Sequence, residues 1–166
     1  MNSIGKMGSV PLGLAESIER LESMPEFLDA ALDSVTRDDL VSRPGPDEFS
    51  LVEHACHLRD LDREGYLVRV RRLLAEERPA LAPFDGAAVA AARNYLGEDA
   101  LVAAQEFAAA RQSLVALLAP LTAQDLRREA TFGDRAICFA DLVAMMVEHD
   151  RGHREEIERL MDFIEQ

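Results

Sequence analysis

Apolar positions along the chain recur at helical spacing. Leu14, Ile18, Leu21, Phe27, Leu28 and Leu32 predict a first helix that begins near residue 12. Pro25 lies inside it, removes a backbone donor and crowds the preceding turn, so a kink or restart is expected there, with Ser23 available as a cap. Arg43-Pro-Gly-Pro-Asp47 cannot continue a helix, and residues 36–49 read as a connector. Ser50-Leu-Val-Glu53 has the pattern of a capping box. Leu58, Leu61, Leu67, Val70, Leu73 and Leu74 then predict a helix over residues 51–77. Residues 78–86 hold two prolines and a glycine and read as a loop, followed by a short helix over 87–96. A long helix is expected over 99–118, with Leu101, Phe107, Leu114, Leu117 and Leu118 on its inner face. Thr122-Ala-Gln-Asp125 is a second capping signal, opening a short turn. Residues 132–136 read as a turn and 139–164 as the last helix. Four main helices and no strand result. The connector after the second helix is long enough for a crossover, so up-down-up-down order is not required.

Length fits this picture, because 166 residues suit one domain able to bury a core without disulfides. Residues 1–11, which contain Gly5, Gly8 and Ser9, are expected to be a flexible N-terminus, and residues 12–166 a single domain. Charge narrows the partners. Eighteen basic against 31 acidic residues leave a net charge of −13, which repels phosphate backbones and disfavours nucleic-acid binding. No stretch reaches the ~18 apolar residues of a membrane span, and the N-terminus lacks a signal-peptide pattern. A cytoplasmic protein with a small-molecule substrate is expected. Cys56 and Cys138 are too few for a disulfide framework and read as small buried apolar residues.

The candidate chemistry lies in the histidines. All four fall in two helical pairs, His54 with His57 and His149 with His153. A spacing of three or four places both members of a pair near one helix face, where two imidazoles can clamp a divalent ion. Glu-x-x-His is absent, which disfavours a di-iron carboxylate bundle, and HExxH is absent, which disfavours a zincin protease. Three histidines around one ion with an open position fit better.

These residues resemble a known family. Phe49-Ser-Leu-Val-Glu-His-Ala-Cys-His57-Leu-Arg-Asp60 is similar to the second-helix motif of the DinB/YfiT-like proteins, with Phe49 where tryptophan is usual. Glu148-His-Asp-Arg-Gly-His153 is similar to the family's last-helix His-x-x-x-His motif. The stretch 71–85 and Phe107-Ala-Ala-Ala-Arg111 also resemble the family, and the likeness spans about residues 14–163. The resemblance implies an all-α four-helix bundle with a crossover connection, often a homodimer. It implies that His57, His149 and His153 ligate one zinc or nickel ion. It further implies a thiol-dependent S-transferase acting on small electrophiles, with a low-molecular-weight thiol such as bacillithiol or mycothiol. A metal-dependent hydrolase is the alternative enzyme. A non-catalytic, stress-related metal or ligand binding protein and a bundle serving only for interaction are the readings from other classes.

Supporting roles follow from position. Asp60, one turn after His57, is placed to orient a ligand or water. Arg111 reads either as an anchor for an anionic thiol or substrate or as a partner of a carboxylate. His54 reads as a partly exposed helix residue or as an extra ligand or proton donor. Asp150 and the acidic residues 155–162 read as a solvated helix face.

Overall fold

The computed structural model describes residues 12–166, so the expected flexible segment 1–11 lies outside the described residues. Its principal helices are α1 (Leu14–Asp33), α2 (Leu51–Asp60), α3 (Leu67–Ala75), α4 (Gly86–Arg93), α5 (Ala100–Leu118), α6 (Ala123–Leu126) and α7 (Phe139–Ile164). A π-helical stretch, Leu61–Tyr66, joins α2 to α3, so the expected second helix is one continuous run in three pieces that ends at Ala75. A π turn carries an extra residue and re-phases the faces that follow it. Here it holds Asp62 and Tyr66, both turned inward.

The bundle consists of α1, α2–α3, α5 and α7. Helix α1 packs on α5 and α7, and α2 packs on the same two. The first two bundle helices therefore face each other across a diagonal, and so do the last two. Crossing occurs in the connectors between α1 and α2 and between α5 and α7. The long connector after α3 instead joins neighbours. Buried alanines Ala103, Ala104 and Ala110 let α5 approach its partners closely, while Phe107, Leu114 and Leu118 fill the core. Leu101, expected inside, is 54% exposed because it lies off the helix face that carries the buried Ala100, Ala103, Ala104 and Phe107.

Pro25 does not end α1, which continues past it to Asp33 without a restart. Its missing N–H leaves the Leu21 carbonyl without the usual helical donor. Arg111 Nη1 fills that place at 2.9 Å. Ser23 therefore caps nothing, and its hydroxyl donates to the Arg20 carbonyl at 2.7 Å. Arg111 is 2% exposed and spends its other donors on two carboxylates. It holds Asp62 through Nε at 2.7 Å and Nη2 at 3.1 Å. It holds Asp150 through Nη1 and through Nη2, the latter at 3.1 Å. All five N–H groups of the guanidinium are engaged, which is the full capacity of the group. Burial pushes Asp62 upward, against the pull of Arg111. The carboxylate-pairing role of Arg111 is thus the one observed, and Asp150 is a buried ion-pair partner and not a solvated residue. The cluster ties α1, the π turn, α5 and α7 together.

Strands are present, against expectation. β1 (Ala80–Leu81) pairs in parallel with β2 (Glu129–Phe132), which pairs antiparallel with β3 (Arg135–Cys138). Segments of two to four residues are too short to show an alternating pattern. The expected turn at 132–136 is the hairpin of β2 and β3, where Gly133 takes the positive φ that a tight turn requires. Cys138 ends β3 and caps α7, so it is not in a helix, whereas Cys56 is fully buried with its thiol pushed up to about 12 by burial. No helix among the described residues is long and apolar enough to cross a membrane.

Candidate metal centre

The site forms where α2 faces α7. Helix α2 starts sharply because Ser50 and Glu53 form the expected capping box. Arg43 Nε donates to Glu53 at 2.8 Å, so the carboxylate also anchors the preceding connector. Burial opposes ionisation of Glu53, yet the Arg43 and Ser50 hydrogen bonds hold it below its ordinary range. That fixed start places His54 and His57 on the face turned toward α7. Across from them, His149 and His153 lie one turn apart, their rings tilted by 59° with centroids at 4.3 Å. Asp150 is clamped by Arg111, and this fixes the turn of α7 that carries His149.

Three ring nitrogens converge. His57 Nε2 lies 3.3 Å from His149 Nε2, and His153 Nε2 lies 3.0 Å from the same atom. Tetrahedral ligands at zinc–nitrogen distances are separated by about 3.3 Å. The observed spacing fits one ion among these three residues, with a fourth position open. His57 Nδ1 and His149 Nδ1 are buried and have no hydrogen-bond partner among the described residues. Burial, and then the neighbouring His153, holds His57 down to about 4 and His149 down to about 2. Both rings are neutral at physiological pH and offer lone pairs.

His54 is fully buried, not partly exposed, because the ring points into the same cluster. Its Nδ1 lies 3.0 Å from His153 Nδ1. Burial and His153 hold it down to about 3. Glu156, read from sequence as solvated surface, brings Oε2 to 3.2 Å from His153 Nδ1 and 3.9 Å from His54 Nε2. The hydrogen bond with His153 holds Glu156 below the ordinary carboxylate range. The signal for Glu156 was its spacing of three from His153, which in a Glu-rich helix does not stand out.

Aromatic and glycine residues complete the walls. Phe49 lies 5.6 Å edge-on to His54 and 5.5 Å from His57, and Phe84 lies 6.4 Å from His57. Tyr66 is buried, with its ring centroid 6.1 Å from that of His149. Gly86 covers His57 so closely that a Cβ there would come within 2.5 Å of the ring Cε1. Neither the compositional nor the periodic pattern could mark Gly86, since the approach is between segments distant in sequence.

Asp60 takes no part in the cluster. It accepts from Arg59 Nε at 2.8 Å, Arg93 Nη1 at 2.8 Å and the Tyr95 hydroxyl at 2.6 Å. Burial opposes its ionisation, but these three donors hold it below its ordinary range. Its contacts fasten the far end of α4, whose first residue covers His57. Asp60 thus acts on the lid over the site and not on a ligand. A cleft of about 310 Å³ opens onto His54, His57 and His153, with Asp47, Glu48, Glu156 and Arg159 among its lining residues.

A family model described as the DinB superfamily matches residues 20–157. The chain is similar in fold to YfiT from Bacillus subtilis, described as a probable metal-dependent hydrolase with an unusual four-helix bundle topology. That likeness has a TM-score of 0.82 at 22% identity and covers 95% of this chain and 91% of the other. No curated protein matches the chain in sequence.

Proposed function

This chain belongs to the DinB superfamily, and from that premise we propose that it is a metal-dependent hydrolase of small molecules. His57, His149 and His153 would hold one divalent ion, zinc or nickel. The observation that carries the reading is the convergence of three histidine Nε2 atoms at ligand spacing. When bound, such an ion supplies Lewis acidity and lowers the pKa of a nucleophile at its open position. The protein's own groups do the rest. The two phenyl rings and Gly86 limit the access of solvent to His57. The carboxylates of Asp47, Glu48 and Glu156 give the mouth an excess of negative charge over Arg159, which favours neutral or cationic substrates over anions. The likeness to YfiT, a probable metal-dependent hydrolase, supports hydrolysis.

Thiol transfer is the second reading, drawn from the family resemblance. Arg111, one candidate anchor for an anionic thiol, is consumed by Asp62 and Asp150, so hydrolysis is the reading favoured here.

Tag-free protein should purify with, or take up, about one zinc or nickel ion per chain, measured by elemental analysis. The loaded protein should turn over a panel of small esters and amides without added thiol, and His149→Ala should abolish it. Turnover of a model electrophile only when a low-molecular-weight thiol is added would replace hydrolysis by S-transfer. Metal uptake with no turnover in either assay would make this a binding protein.

A further inference from the structure

We infer that His54 and Glu156 fix the proton of His153 on Nδ1 and so aim its Nε2 lone pair into the metal centre, which makes His54 a positioning residue. The inference rests on the metal reading above. A neutral imidazole carries one N–H. His153 Nε2 faces His149 Nε2 at 3.0 Å, so binding an ion there requires the His153 proton to sit on Nδ1. That atom lies 3.0 Å from His54 Nδ1 and 3.2 Å from Glu156 Oε2. Two N–H groups cannot face each other at that distance, so His54 Nδ1 accepts. The His54 proton then sits on Nε2, 3.9 Å from the same Glu156 oxygen. One carboxylate thus faces both rings, and each proton has one self-consistent place.

The opposite arrangement is self-defeating for metal binding. A proton on His54 Nδ1 would make His153 Nδ1 the acceptor and move the His153 proton to Nε2, blocking the lone pair. His54 is the rigid part of the support, with its side chain 2% exposed and Phe49 set edge-on against it. Glu156 is 47% exposed, so its carboxylate is open to solvent and less firmly held. The other two ligands differ, since His57 Nδ1 and His149 Nδ1 have no partner among the described residues. The support is therefore concentrated on His153.

The test measures zinc affinity by competition with a chromophoric chelator, together with long-range proton–nitrogen NMR of the zinc-loaded protein. In the wild type, His153 should be the Nδ1–H tautomer and His54 the Nε2–H tautomer. His54→Leu should weaken zinc binding about 10–100-fold, the usual effect of removing a group that orients a ligand. His54→Gln keeps an acceptor and should recover most of it, which a purely packing role for His54 would not give. Glu156→Gln should weaken binding less and leave the His153 tautomer in place. It also provides a surface variant should His54→Leu fail to fold. Wild-type zinc affinity in His54→Leu, or a His153 Nε2–H tautomer in the loaded wild type, would overturn the inference alone. Two zinc ions per chain would also overturn it, by making His54 and Glu156 ligands. A wild type that takes up no zinc would remove the metal reading itself.

Discussion

The bundle contains two buried polar clusters, and they differ in completeness. Around Arg111 every guanidinium donor has an acceptor, drawn from Asp62, Asp150 and the Leu21 carbonyl. Around His149 two buried ring nitrogens have none, and three others crowd together at 3.0–3.3 Å. A closed set of hydrogen bonds leaves nothing for a ligand to gain, so the Arg111 cluster is structural. The three converging Nε2 atoms are spaced as ligands of one ion would be, so on the reading proposed above the histidine cluster is the functional one. Both share α7, where Asp150 and His149 are adjacent, and the closed cluster holds the open one in place.

The comparison breaks first at Arg111. Arg111→Met leaves two carboxylates buried without a cation and should destabilise the fold by about 3–5 kcal/mol in denaturant unfolding. A loss below about 1 kcal/mol would mean that the cluster holds nothing. His149→Ala should do the reverse, lowering zinc affinity by more than about 100-fold, beyond the effect of an outer partner, while leaving the metal-free fold intact by circular dichroism. A large loss of metal-free stability there would erase the distinction. Gly86→Ala would force a Cβ to within 2.5 Å of His57 unless α4 moves. It should cost about 1–3 kcal/mol as overpacking and weaken zinc uptake. Unchanged zinc affinity would show that α4 yields freely.

The smallest effect is the pH dependence of the metal-free protein. In the unfolded chain the histidines titrate near ~6.5. In the fold, His57 resists protonation to about 4 and His54 to about 3, because both are buried. The unfolded state therefore binds more protons across that window, and stability should fall as pH falls from ~6.5 toward about 4. His54→Leu and His57→Leu together should flatten this slope in melting curves recorded against pH, and an unchanged slope would place the linkage elsewhere.

Much of this was legible in local pattern. The capping box at Ser50 and Glu53, the last helix over Phe139–Ile164 and the pairing of all four histidines on two helices are short-range features. Spacing of three and four fixes which residues share a face, whatever the helix packs against. The family motifs pointed to His57, His149 and His153, and the fold brings these three together. The short strands escaped notice because two to four residues carry no period. Asp150 and Glu156 were both read as solvated, and charge alone could not separate them from their exposed neighbours on α7.

The sequence by itself determined the main helices, the sharp start of α2 and the histidine pairs, because capping and periodicity act within a few residues. Only the tertiary structure decided that Pro25 leaves α1 intact, that Arg111 serves the core and that Asp60 holds a lid. It alone set Gly86 against His57 and Glu156 against His153. Each of these depends on groups from different helices, and the packing of the bundle determines which donors meet which acceptors.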